Sequence, residues 1–291
     1  MFEKFNALVN EPMSEHTTLK LGGPADYLVF PRSAEEIGAL FAEAGAYNLP
    51  VTVIGHGSNL LVLDGGIRGL VICIGKNMRK ITRDGNRITA QAGTMLGSAA
   101  IEAADAGLTG LEFASGIPGT AGGAVFMNAG AYGGEMKDCV VKVYAVTDGK
   151  EVVFTNEEMK FGYRESIAMQ KNMIITGVDI RLQKGDKDSI TAMMNDLNGR
   201  RREKQPLEYP SAGSTFKRPE GYFAGKLIMD SGLAGYSVGD AEVSEKHCGF
   251  VINKGHATSD EIYKLICNVQ DIVKEKTGIM LETEVRLIGE F

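Results

Sequence analysis

Four glycines fall within eight residues in Ser115-Gly116-Ile117-Pro118-Gly119-Thr120-Ala121-Gly122-Gly123, and small residues continue through Asn128-Ala129-Gly130-Ala131-Tyr132-Gly133. No feature of the chain constrains it more. Such a stretch leaves almost no side chains between the backbone and whatever lies against it. Pro118 stiffens the turn, and the Thr120 hydroxyl can donate to a phosphate oxygen. A second small-residue turn, Gly55-His56-Gly57-Ser58-Asn59-Leu60, sits between two apolar runs. Consecutive amides in such turns converge on an anion, with Ser58 and Asn59 adding side-chain donors. Neither turn is G-x-G-x-x-G opening a helix, so a Rossmann site is not supported. Each alone could be a structural turn. Two of them suit a diphosphate carrying a long ring system.

Apolar patterning around these turns predicts an α+β chain. A strand at 27–30 leads to Ser33-Ala34-Glu35-Glu36, which reads as a capping box, with Ile37, Leu40, Phe41 and Ala44 on one helical face. Strands are expected at 51–54, 60–63 and 70–74, completing a small lobe over residues 1–75. Asp84-Gly85-Asn86 and Asp148-Gly149 mark hairpins in a β-rich lobe, 76–200, which also holds a helix at 96–106 and a strand at 174–182. A helix at 189–202 runs into the prolines at 206 and 210, where the third lobe, 201–280, begins. Its long helix opens on the box Thr258-Ser259-Asp260-Glu261 and stops at Gly278. A C-terminal strand within 281–291 is expected to join the second lobe.

The net charge of −6 argues against a nucleic-acid partner. The one dense basic run, 199–204, reads as a solvated helix end or a local anion site. Cys73, Cys139, Cys248 and Cys267 are far apart and read as reduced thiols, and the four histidines have no metal spacing, so no metal is expected. No apolar run reaches membrane length, which points to a cytoplasmic protein. Gly221 to Lys226 imitates a Walker A motif with the wrong spacing and no Ser or Thr for magnesium.

Three polar residues complete the candidate chemistry. Arg164 lies in Tyr163-Arg164-Glu165-Ser166, Ser214 in Gly213-Ser214-Thr215-Phe216-Lys217-Arg218-Pro219, and Glu284 in Leu281-Glu282-Thr283-Glu284-Val285-Arg286. Singly they read as a salt bridge, a turn and a solvated strand end.

With His16-Thr17-Thr18-Leu19-Lys20-Leu21-Gly22-Gly23-Pro24-Ala25 and both glycine turns, these segments resemble, in order and nearly end to end, the UDP-N-acetylenolpyruvoylglucosamine reductase family of peptidoglycan precursor synthesis. The resemblance implies the FAD-binding fold of the vanillyl-alcohol-oxidase (PCMH) type: two flavin-binding lobes and an α+β substrate-binding lobe. It implies FAD bound non-covalently, with no covalent bond from His56. The contacts it implies are Gly55, Gly57, Ser58, Asn59, Leu60, Ser115, Gly116, Ile117, Pro118, Gly119, Thr120, Gly122, Gly123, Asn128 and Gly130. NADPH is the implied reductant and an enolpyruvyl UDP-sugar the implied substrate. Hydride addition to the alkene leaves enolate-like charge, which Arg164 would stabilise, Glu284 would polarise or hold, and Ser214 would quench with a proton. Lys204, Arg218 and His247 match substrate-side positions. The short interval from Arg164 to Lys204 resembles the subtype without an inserted Tyr loop. A monomer is expected. Two other readings stand beside this one: an oxygen-using oxidase of the same fold, and a non-catalytic nucleotide-binding module. Glu112 and Glu165 are expected to be structural or solvated.

Overall fold

The computed structural model describes residues 1–171 and 173–291. The chain divides into two compact units: one of residues 1–8, 27–56 and 69–201, the other of 9–26, 57–68 and 202–291.

The first unit is built on an antiparallel five-stranded sheet with the order Lys150–Thr155, Val140–Thr147, Met173–Arg181, Arg87–Gln91, Ile81–Asp84. Both hairpins form where the turn residues require them. Thr147 pairs with Lys150 across Asp148 and Gly149, both at positive φ, as the two-residue turn that matches strand twist demands. Beside this sheet, Val51–Ile54 runs parallel to Ile67–Cys73. Helices α1 (Ala34–Ala46), α2 (Leu96–Asp105) and α3 (Ala121–Phe126) bury Ile37, Leu40, Ala99, Ala103 and Val125 in one apolar core.

Helix α4 (Lys187–Lys204) buries Ile190, Met194 and Leu197, a stripe at helical spacing. At α1 the expected box is only half formed. Ser33 Oγ accepts from the Glu36 amide at 3.2 Å, but the Glu36 carboxylate takes the Arg32 amide (2.6 Å) and guanidinium (2.9 Å) instead of closing on Ser33. A nearby cation outbids one amide for a carboxylate.

The second unit carries a four-stranded sheet in the order Ser211–Ser214, Phe250–Asn253, Ala241–Val243, Ser237–Val238. Helices α5 (Ala224–Asp230) and α6 (Ser259–Thr277) pack on it through Ile228, Ile262, Leu265, Ile266 and Val269. The α6 box is complete: Thr258 Oγ1 accepts from the Glu261 amide and Glu261 accepts from the Thr258 amide. Thr258→Ala should lower stability by about 1 kcal/mol, measurable as a shifted denaturant midpoint at unchanged slope.

The closing strand differs from expectation. Arg286–Ile288 pairs in parallel with Leu60–Val62, not with the strands of 76–200. Its amides and carbonyls are satisfied by the segment leaving the first glycine turn, a partner that local patterning could not reveal. Among the described residues no helix is long and apolar enough to cross a membrane, and no acidic, His or Cys cluster could hold a metal.

Candidate active site

In the first unit, the Gly55 and Ser115 turns meet. A side chain on Gly55 would reach Thr120 Oγ1 at 2.6 Å, so it would displace that hydroxyl. Thr120 caps α3, its Oγ1 accepting from the Gly123 amide at 3.4 Å, and Gly122 lies against Ala92 with its amide on the Ala92 carbonyl (2.9 Å). The Gly119 carbonyl accepts from the Leu96 amide at 2.9 Å. Gly116, by contrast, donates its amide to no protein acceptor among the described residues. Pro118 is exposed, while Ser115 and Ile117 are half-buried.

The residue that the sequence reading passed over lies against this turn. A side chain on Gly116 would meet Arg201 Cδ at 2.6 Å and Arg201 Nε at 2.8 Å, and Ser115 Oγ lies 3.5 Å from Asn198 Oδ1. Arg201 lies in the basic run 199–204, whose sequence reads as a solvated helix end or a local anion site. Its signal was the helical period: 190, 194, 197 and 201 share one face of α4, so the arginine falls where the buried stripe continues.

Arg164 occupies the corner of a tight turn closed by paired amides and carbonyls of Gly162 and Glu165. It holds φ +57°, a left-handed conformation that costs a non-glycine residue about 1–3 kcal/mol. Its Nη2 donates to the Gly130 carbonyl at 3.0 Å. Asn128, fully buried, supports the same turn. Its amide nitrogen donates to Gly162 O (2.8 Å) and Glu135 (2.7 Å), and its Oδ1 accepts from the Lys137 amide. Both amide protons of Asn128 are therefore committed within the chain. Glu112 accepts from Thr109 and the Gly110 amide, and Glu165 from Gln170, as structural carboxylates do.

In the second unit, Ser214 and Glu284 are neighbours. The Glu284 amide donates to the Thr215 carbonyl at 2.8 Å, and Phe216 bridges Thr283. Asn59 Nδ2 donates to the Glu284 carbonyl at 3.1 Å, and the Arg286 amide donates to Asn59 O at 3.0 Å, so the end of the first glycine turn anchors the glutamate. Ser214 is exposed and Glu284 half-buried. Pairing of Ser211 with Ile252 and of Ser214 with Phe250 puts three steps on one strand against two on the other. The bulge, with Gly213 at φ +76°, kinks the strand just before Ser214, which resumes the pairing opposite Phe250.

Gly57 answers to the chain itself. It has φ +68°, and a side chain there would collide with the His16 carbonyl and Thr17 Cα. Ser58 and Leu60 follow it, both half-buried.

His247 lies beside Gly225 and Gly249, its ring edge-on to Phe250 with centroids 5.0 Å apart. Its Nδ1 accepts from the Gly249 amide at 3.2 Å, which assigns the proton of the neutral ring to Nε2. Burial pushes its pKa below the ordinary value. The unfolded chain, with an ordinary histidine near 6.5, therefore binds more protons as pH falls, and stability is lost below that value down through the folded-state pKa. His247→Asn should flatten this loss, read as denaturant midpoints between pH 7.5 and 5.5. Arg218 Nε donates to the Tyr222 carbonyl (3.2 Å) and its guanidinium stacks on Phe223 at 4.0 Å. Lys204 is exposed at the end of α4.

A flavin fits the residues present: a glycine turn with an amide left to donate, closed to side chains, and a half-buried cation beside it. An FAD-binding domain family matches residues 25–156, and the UDP-N-acetylenolpyruvoylglucosamine reductase C-terminal domain matches 205–288. These matches and the α+β architecture make the chain an FAD-dependent oxidoreductase. UDP-N-acetylenolpyruvoylglucosamine reductase of Agathobacter rectalis is 55% identical, covering 98% of this chain and 94% of its own. That of Caldanaerobacter subterraneus is 50% identical, covering 97% and 93%. The crystal structure of the Thermus caldophilus reductase superposes with a TM-score of 0.84 at 37% identity, covering 97% and 98%. The chain belongs to the UDP-N-acetylenolpyruvoylglucosamine reductase family.

Proposed function

We propose that this protein reduces the enolpyruvyl group of UDP-N-acetylglucosamine enolpyruvate to give UDP-N-acetylmuramate, with NADPH as reductant and Ser214 as proton donor. The observation that carries this reading is the pairing of an exposed serine, just past a strand bulge, with a glutamate one hydrogen-bonded step away. FAD, when bound, supplies hydride transfer between NADPH and the substrate. Residues 1–75 and 76–200 are read as the flavin lobes and 201–280 as the substrate lobe.

The chain's own groups do the rest. Arg164, a fixed cation on a strained and doubly pinned turn, offsets the negative charge that gathers beside the substrate carboxylate. Ser214 Oγ holds the proton that the carbon next to that carboxylate takes up. A serine is a weak acid, so the basicity of that carbon drives the transfer. Glu284 orients the enol, its backbone held from Asn59 and Thr215. Lys204 and Arg218 supply charge for the diphosphate, and His247 Nε2 supplies a neutral donor.

The protein acts as a cytoplasmic monomer in this reading. Its test is spectroscopic. The purified protein should be yellow, bleach with NADPH without oxygen, and recover its flavin absorbance on adding the enolpyruvyl sugar nucleotide. Recovery with oxygen but not with the nucleotide would make it an oxidase and end the proposal.

A further inference from the structure

We propose that Arg201 is a cofactor-binding residue: its guanidinium meets an anionic group of FAD at the Gly116 turn. Three observations converge on it. Arg201 stands where the buried stripe of α4, Ile190, Met194 and Leu197, calls for an apolar residue, so its charge was carried inward at a cost. It has neither an ion pair nor a hydrogen bond within the chain among the described residues; its one contact with a polarisable group is the Tyr132 ring, 5.4 Å from the guanidinium carbon. A guanidinium has five donors and keeps its charge, so half-buried without a carboxylate it is stabilised by an anion from elsewhere.

That elsewhere is the turn it touches. Any side chain at Gly116 would strike Arg201 Cδ and Nε, and the Gly116 amide beside it is unspent. Amide and guanidinium together make a two-donor cradle for one anionic group. Burial lowers the guanidinium's pKa, as expected for a cation whose counter-charge is not part of the chain.

The inference rests on the 115–120 turn holding FAD. Two parts of FAD offer the required negative charge: the diphosphate, and the pyrimidine edge of the ring once two electrons have made it anionic. Both are answered by the same fork.

The test is FAD titration of Arg201→Met, Arg201→Gln and Gly116→Ala, with the reduction potential of each complex followed against pH. Methionine continues the apolar stripe, so that variant should melt at or above the parent temperature; glutamine serves if it does not fold. Loss of one charge-assisted bond should weaken FAD binding about 10- to 100-fold. If the partner is the diphosphate, the pH at which the potential changes slope stays fixed; if it is the reduced ring, that break moves to higher pH. A folded neutral variant with parental FAD affinity and an unmoved break would overturn the role of Arg201. If Gly116→Ala also binds FAD normally, the placement of the cofactor in this turn fails; if it alone weakens binding, only the role of Arg201 does.

Discussion

Ser214→Ala should keep its flavin and be bleached by NADPH at the parental rate, yet return hydride to the enolpyruvyl nucleotide about 10²- to 10⁴-fold more slowly. That corresponds to roughly 3–5 kcal/mol of transition-state stabilisation for a positioned acid. Stopped-flow absorbance separates the two halves. The substitution is clean for structural reasons. Ser214 is exposed, and among the described residues its hydroxyl makes no hydrogen bond within the chain, so its loss strands no partner. Parental speed in the second half would remove Ser214 from the chemistry. Slowing of both halves alike would point to damaged flavin binding.

Gly57→Ala should be strongly destabilising. The added methyl would enter the space of the His16 carbonyl and Thr17 Cα, at a backbone angle of φ +68° that alanine tolerates poorly. Both backbones are fixed: the Gly57 carbonyl accepts from the Thr18 amide at 3.3 Å, and Thr17 Oγ1 donates to the Leu21 carbonyl at 2.9 Å. A loss of about 3–5 kcal/mol is expected. Thermal melting of flavin-free protein distinguishes this from a cofactor contact. A glycine kept only for FAD would leave that melting point unchanged while weakening FAD binding.

Local chemistry was readable where it acts over a few residues. The Asp148-Gly149 hairpin and the Thr258–Glu261 box form as their residue types require, because turn and cap geometry are decided within four positions. Ser33–Glu36 shows the limit of that legibility, since the arginine one residue upstream takes the carboxylate. The same limit applies to the glycines. Four in eight residues suggest a ligand turn; the close approaches found at Gly55 and Gly116 are to Thr120 and Arg201 of the chain itself. At Gly57 the space is filled by residues 16 and 17, which nothing in the local sequence foretells. Arg201 was hidden by its neighbours. Within a run of arginines, only the phase of the helix separates the inward one from the solvated ones.

The tie between Asn59 and Glu284 spans 225 residues of sequence, and the parallel ladder of Leu60–Val62 with Arg286–Ile288 depends on the same closure. Non-local pairing of this kind is slow to form, since the entropy of closing so large a loop precedes any return. A chain under synthesis therefore carries Asn59 and its strand long before the residues that close on them exist, so this tie is made only when the last stretch of the chain is in place.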